Sequence, residues 1–222
     1  MARIVLLRHA HSIANEKNLL AGRISGITLS KSGKSQALDL VDRLGAMQFD
    51  EIAISPLQRC RETIDPWLSA NNAKSRLVID ESISEVDYGS WSGKTLASLS
   101  RKAQWKVVQD FPSQMTFPEG ESLLEMQGRA LSGFYRLNAV KGKGPRLLVS
   151  HGDVIKSIVA HCLGMHLDQF QRLVIEPASI TIIDTDSGVS RLVRFNDAKG
   201  FLTSGKSTNQ SALGGSTGNS TK

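Results

Sequence analysis

A chain of 222 residues, 40% hydrophobic and 22% charged, has the size and apolar content of one α/β domain with a full core. Its net charge of +6 is scattered, without a run of five basic residues, which argues against a nucleic-acid partner and leaves room for a basic pocket that takes a small anion. No stretch is apolar enough to span a membrane, no signal-peptide pattern opens the chain, and two cysteines (Cys60 and Cys162) are too few for a disulfide framework, so the expectation is a reduced, cytoplasmic protein with both thiols buried.

Ile4-Val5-Leu6-Leu7 reads as a strand buried on both faces, and it runs directly into Arg8-His9-Ala10-His11-Ser12. A short helix capped by Ser12 is expected to reach Leu20, followed by a glycine-containing loop over 21–26 and a helix from Ser32 to Leu44 that Gly45 stops. Ile52-Ala53-Ile54 is a second buried strand. Ser55-Pro56 then reads as an N-cap with proline at the first helical position, opening a helix that carries Arg59 and Thr63 on one face and that Pro66 kinks or interrupts. Leu77-Val78-Ile79 suggests a third strand, Ser84 to Gly93 an ordered loop over a site, Thr95 to Asp110 a helix, Phe111 to Gly120 a loop, and Ser122 the cap of a helix reaching about Val140. Arg146 to Ser150 is a strand of the opening type that ends in His151-Gly152-Asp153, with helical spacing from Val154 to Leu163. β runs follow at 172–175, 179–183 and 189–195. From Ser204 to Lys222 the chain is Ser, Gly, Thr, Asn and Lys with Leu213 as its one large apolar residue, which predicts a disordered tail behind a catalytic domain over 1–203.

Three strand-to-helix junctions therefore carry polar residues: Arg8-His9, Ser55 to Arg59, and His151-Gly152-Asp153. If the strands are parallel neighbours, all three open on one edge of the sheet, where ligands of α/β folds bind. Arg8 and Arg59 offer planar forks for phosphate oxygens, Asn15 a neutral donor, and Gly152 a backbone without a Cβ at a helix start. His9 is the candidate nucleophile, His151 a donor to the transferring oxygens, and Glu85 the acid for the leaving alkoxide, provided that its pKa is raised.

These residues resemble a known family. Arg8-His9-Ala10-His11-Ser12, the Ser55-Pro56-Leu57…Arg59…Thr63 segment, Glu85 with Gly89, Trp91 and Gly93, the Pro118–Ser122 run and Ser150-His151-Gly152 are similar, in family order, to the motifs of the histidine phosphatase (phosphoglycerate mutase-like) superfamily. Within it the chain looks most like an actinobacterial branch labelled as phosphomutases. The resemblance implies an α/β/α sandwich with a mainly parallel sheet, a phosphohistidine at His9, phosphate contacts from Arg8, Asn15, Arg59 and His151, and neither metal nor other cofactor. Cofactor-dependent mutases carry an arginine directly after the acid, where this chain has Val86, and a longer insertion with paired arginines. A phosphatase acting on a small phosphate ester is therefore expected, with Ser12, Gly22, Arg23, Tyr88, Phe117 and Ser122 around the substrate. The sequence leaves the substrate open and is compatible with a homodimer without fixing the oligomeric state.

The plainer readings stand beside these. His11 fills a rim position, His161 and His166 are structural or exposed, Arg61 is a surface charge, Asp153 a helix cap and Trp91 loop packing. Two other function classes are open: a metallohydrolase with ligands among His9, His11, His151 and Asp153, and a phospho-ligand-binding protein on the same fold without turnover.

Overall fold

The computed structural model describes residues 3–71, 75–185 and 189–202; the expected tail over 204–222 lies outside them. Six strands form one sheet: β1 (Arg3–Arg8), β2 (Glu51–Ile54), β3 (Arg76–Ile79), β4 (Arg146–Ser150), β5 (Ile180–Asp184) and β6 (Arg191–Asp197), in the order β3-β2-β4-β1-β5-β6. The first four in sequence run parallel, while β5 and β6 are antiparallel to their neighbours, so the sheet is mainly parallel as expected. The helices are α1 (Ile13–Glu16), α2 (Lys31–Leu44), α3 (Gln58–Asn71), α4 (Leu96–Leu99), α5 (Ala103–Asp110), α6 (Leu123–Asn138) and α7 (Gly152–Cys162).

Alternation along the central strands builds two cores. Val5 and Leu7 of β1, Ile52 and Ile54 of β2, and Leu147 and Val149 of β4 pack on one face with Leu40 and Leu44 of α2 and Ile64 and Trp67 of α3. Ile4, Leu6, Ala53 and Leu148 point to the other face, against Phe134 of α6 and Ile155 and Ile158 of α7. Both faces being covered is what makes the strands read as continuous apolar runs. The result is a three-layer α/β/α sandwich.

The two central strands decide where a site can form. β1 and β4 are in parallel register, Leu7 opposite Val149 and Arg8 opposite Ser150. The ladder continues one residue further, the His9 amide donating to the Ser150 carbonyl at 2.9 Å. After β1 the chain crosses to α2 on one face, and after β4 it enters α7 on the other. This opposite departure from adjacent strands opens a crevice at their carboxyl ends.

Several expected elements differ. The helix after Ser12 starts as expected, with Asn15 closing a capping box on Ser12, but it is only one turn long because Asn18 turns to positive φ. The stretch 95–110 is two short helices, α4 and α5, separated at Ser100–Lys102. The segment 172–175 is no strand: a 3-10 helix, Leu167–Arg172, precedes it, and the Ile175 carbonyl accepts from the Arg8 guanidinium rather than from a neighbouring strand. Ser55 does not cap α3, which begins at Gln58, and the helix runs through Pro66 to Asn71. Cys60 is buried as expected, whereas Cys162 is only half-buried.

Two loops interlock above the crevice. Gly89 has φ +50°, and a Cβ there would lie 2.1 Å from the Pro118 carbonyl oxygen. The Ser90 amide donates to that same carbonyl, and the Glu121 amide donates to the Asp87 carbonyl. Only glycine permits both the left-handed turn and this approach. Gly89→Ala is expected to destabilise the fold by about 2–4 kcal/mol from backbone strain and overpacking. Urea unfolding measures this, and a change below about 0.5 kcal/mol would mean that the two loops can separate freely.

Candidate active site

A cavity of about 440 Å³ opens at the carboxyl ends of β1 and β4. Arg8, His9, Ser12, Asn15, Gly22, Arg59, Glu85, Tyr88 and Gly152 all reach its wall. The three junctions read from the sequence thus converge, since β2, β4 and β1 are adjacent and parallel.

His9 is 3% exposed. Its Nδ1 lies 2.7 Å from the Ala10 carbonyl oxygen, which can only accept, so Nδ1 carries the proton and Nε2 keeps its lone pair. Burial, then the charges of Arg59 and Arg8, hold its pKa well below the usual imidazole range. A neutral ring with a defined tautomer is what a nitrogen nucleophile requires. Thr63 fixes the turn that carries it: its hydroxyl donates to the Arg59 carbonyl at 2.6 Å and accepts from the Ala10 amide at 2.8 Å.

Arg59 is 2% exposed. One terminal nitrogen donates to the Gly22 carbonyl at 2.9 Å and to His151 Nδ1 at 3.2 Å. Gly22 presents that carbonyl from a left-handed turn, φ +51°, in which a Cβ would lie 3.0 Å from Tyr88 and from Ser92. Among the described residues the Nε atoms of both Arg8 and Arg59 are buried without a hydrogen-bond partner. Buried guanidinium N–H groups left unpaired beside a cavity are built to meet an anion. Asn15 completes this end: its side-chain oxygen accepts from the Ser12 amide and hydroxyl, which leaves the amide nitrogen as its donor end. A Cβ on Gly152 would sit 3.4 Å from the Arg8 guanidinium, an ordinary contact, so the protein itself does not demand glycine there.

His151 is fully buried behind the wall, its ring centroid 5.2 Å from that of His9. Because Arg59 can only donate, His151 Nδ1 accepts, and Nε2–H donates to Ser55 Oγ at 2.7 Å. Ser55, expected as a helix cap, instead orients this imidazole. Burial and the charge of Arg59 lower the His151 pKa well below the usual range.

Glu85 Oε2 lies 4.0 Å from His151 Nδ1. Its pKa is raised to about 7, first by burial and then by the negative charge of Asp153, with Arg59 opposing. Asp153, expected as a helix cap, is not one: His151 is the N-cap of α7, and the Asp153 carboxylate in the first turn instead accepts from the Tyr88 hydroxyl at 2.8 Å and pairs with Lys156 at 3.4 Å.

The sequence reading missed what holds Glu85 in place. Arg129 of α6 donates to the carbonyls of Ser82, Ser84 and Glu85, and to Glu121. Glu121 also accepts from Arg23 and from the Asp87 amide. Burial alone would raise the Glu121 pKa, yet these bonds bring it below the ordinary carboxylate range. Glu121 falls inside the quoted 118–122 run, and Arg129 stands between Met126 and Ala130 of the buried stripe of α6, a charge at the edge of an apolar face. Arg23 serves this clamp, donating to the Glu85 carbonyl at 2.9 Å, and does not line the cavity. Nor does Ser122, whose hydroxyl is spent in a capping box with Glu125. Phe117 does line it, buried against Tyr88 and Trp91.

His11 turns away to Ser30 Oγ at 2.9 Å. Among the described residues no group of three or more His, Cys, Asp and Glu side chains is arranged to hold a metal ion, and no helix is long and apolar enough to cross a membrane. Exposed His161 meets the Tyr135 hydroxyl, and His166 caps a surface turn.

The chain is similar to known proteins along nearly its whole length. It is 29% identical over 205 residues to phosphoserine phosphatase 1 of Hydrogenobacter thermophilus, covering 88% of this chain and 92% of that one. It is 28% identical over 200 residues to a 2,3-bisphosphoglycerate-dependent phosphoglycerate mutase of Cytophaga hutchinsonii, covering 88% and 89%. Among solved structures, Bacillus stearothermophilus YhfR superposes with a TM-score of 0.82 at 24% identity, over 89% of this chain and 98% of that one. The alpha-ribazole phosphatase of Shigella flexneri gives 0.79 at 23%, over 90% and 99%. The family model of the histidine phosphatase superfamily (branch 1) matches residues 4–198, and the chain belongs to that superfamily.

Proposed function

We propose that the protein hydrolyses phosphate monoesters through a phosphohistidine on His9. The observation that carries this reading is a neutral imidazole, its proton fixed on Nδ1 by the Ala10 carbonyl, lining the same cavity as two guanidinium groups whose buried Nε atoms have no partner among the described residues. The Arg8 and Arg59 forks and the Asn15 amide hold the phosphoryl oxygens, where charge must be stabilised in the transition state. His9 Nε2 attacks phosphorus as the bond to the ester oxygen breaks, and the Glu85 carboxyl passes its proton to the departing alkoxide. The phosphorylated ring is cationic, and the Ala10 carbonyl stabilises its Nδ1–H. The Glu85 carboxylate then takes a proton from water, the oxygen attacks phosphorus, the P–N bond breaks and inorganic phosphate leaves.

His151 serves first as a positioning residue for Arg59. Burial and the positive surroundings keep its ring neutral; a bound dianion offsets the second of these, so the ring can take a proton on Nδ1, give up the bond from Arg59 and donate to the phosphoryl group. Hydrolysis is favoured over mutase chemistry because Lys156, the one further cation among the described lining residues, is already paired with Asp153. A second phosphoryl or carboxylate group has no clamp of its own. The names of relatives support both activities within the superfamily, and the cavity favours the phosphatase. A small-molecule phosphate ester is the partner this reading requires.

In the presence of EDTA, the wild type is expected to release phosphate from p-nitrophenyl phosphate, and His9→Ala to lose about 10³-fold or more in kcat. Acid quenching during turnover should trap phosphate on the wild-type chain. Activity abolished by EDTA, or surviving in the variant, would sink the phosphohistidine route.

Glu85→Gln separates the two half-reactions. With p-nitrophenyl phosphate, whose leaving group needs no proton, the variant should give a burst of one p-nitrophenol per site and then slow turnover. With an alkyl phosphate, kcat should fall about 10²- to 10⁴-fold without a burst. Equal losses on both substrates would remove Glu85 from the acid role.

In the wild type, kcat/KM for the alkyl ester should fall as pH rises through about 7, where Glu85 loses its proton. It should fall on the acid side only well below the usual imidazole range, where His9 becomes charged. Stability follows the same carboxyl. The folded state holds the Glu85 proton more tightly than the unfolded chain, so the wild type loses stability as pH rises from the ordinary carboxylate range through about 7. Glu85→Gln should melt higher than the wild type at pH 8, by a margin that shrinks at pH 5.

A further inference from the structure

Resting on the phosphatase reading, we infer that the alcohol portion of the substrate is an uncharged aromatic or hydrocarbon group. The cavity has two unlike ends. Arg8, His9, Asn15 and Arg59 make the phosphate end, while the wall beyond them is formed by Leu20, Trp91, Leu96, Trp105, Phe117 and Val174. These side chains are organised as a surface. Trp91 and Trp105 stack with ring centroids 6.4 Å apart and planes 18° from parallel, and Phe117 meets Trp91 edge-on at 5.4 Å. At the mouth, Leu96 is 38% and Val174 56% exposed. An apolar alcohol seated there removes both from water in a way that a hydrated one does not.

The charges point the same way. Once a phosphoryl dianion takes the two arginines, the cation left among the described lining residues is Lys156, and it is held on three sides. Its Nζ is 3.4 Å from Asp153, donates to Gln171 at 3.1 Å and sits 5.6 Å from the Phe170 ring centroid. Asp153 and exposed Glu176 add carboxylates to the same wall. A carboxylate on the alcohol, as in a phosphorylated hydroxy acid or amino acid, meets negative charge with no unengaged cation among the described lining residues to offset its desolvation. Discrimination here comes from an unfavourable charge as much as from apolar contact.

The test compares primary alkyl esters, so that leaving-group reactivity is matched: 2-(1-naphthyl)ethyl phosphate, ethyl phosphate, phosphoserine and phosphocholine. The naphthylethyl ester should exceed ethyl phosphate and phosphoserine in kcat/KM by about 10- to 100-fold, the range expected for burying one aromatic group. Trp105→Ala should lower that naphthylethyl-to-ethyl ratio about tenfold. Val174→Glu, at an exposed position that folding does not depend on, should lower it as well and guards against a misfolded Trp105 variant. Preference for phosphoserine or phosphocholine, or ratios that neither variant moves, would overturn the inference. If no ester is turned over, the phosphatase reading fails separately. Calorimetry with 2-(1-naphthyl)ethylphosphonate and the phosphonate analogue of phosphoserine then decides the subsite: tighter naphthyl binding by tenfold or more supports it, and equal or reversed affinities overturn it.

Discussion

Two guanidinium groups stand at the carboxyl edge of the sheet, Arg59 buried and Arg8 half-buried with its Nε out of water, and much of the molecule is arranged to keep them there. Burying such charge is costly unless it is hydrogen-bonded and neutralised. The fold supplies part of the compensation through the carbonyls of Gly22 and Ile175 and the negative charge of Asp153. It leaves both Nε atoms without a partner among the described residues. Burial, reinforced by the same positive field, keeps His9 and His151 neutral. On the proposed mechanism one electrostatic choice thus bears on both the anion that the cavity accepts and the state of the nucleophile, and polar groups fixed before the substrate arrives need no reorganisation in the transition state.

The proposed acid is held by a separate device. Glu85 sits on an irregular loop, and loops are mobile unless tied down. Here Arg129 ties it from α6 by three carbonyls, and Glu121 returns the charge while gathering Arg23 and the Asp87 amide. The clamp grips the backbone of Glu85 and leaves the carboxyl in the desolvated setting that raises its pKa to about 7. Rigidity and reactivity are therefore supplied by different residues. Cys60 belongs to neither device: burial pushes its thiol up to about 12, so it packs beside His151 as an inert side chain.

Most of the sheet and its helix-flanked faces were legible in the chain because buried parallel strands need unbroken apolar runs and helices need caps. Ile4–Leu7, Leu147–Val149, the Ser122 cap and the Gly45 stop all stand where those rules put them. The errors fell where long-range contacts outweigh local signals. Ser55-Pro56 looks like a helix start, but the serine hydroxyl serves a histidine from another strand. The 172–175 run has the β-propensity of a strand, but Arg8 takes its carbonyl. Arg23 and Ser122 were expected at the substrate, yet one is spent on the Glu121 clamp and the other on its own helix.

By itself the sequence determined the chemical parts and the family: the three polar junctions, the candidate acid and their order along the chain. These are local patterns of residue type, and such patterns survive without coordinates. Only the tertiary structure decided the tautomers of His9 and His151, the clamp on Glu85 and the apolar character of the far wall. The His9 tautomer depends on how the turn after β1 presents the neighbouring Ala10 carbonyl, and the others on partners further along the chain, Ser55 with His151, Arg129 with Glu85 and Trp91 with Phe117, brought together by strand order and loop and helix packing. Protonation state and cavity shape are properties of an environment, and no single stretch of chain carries its own environment.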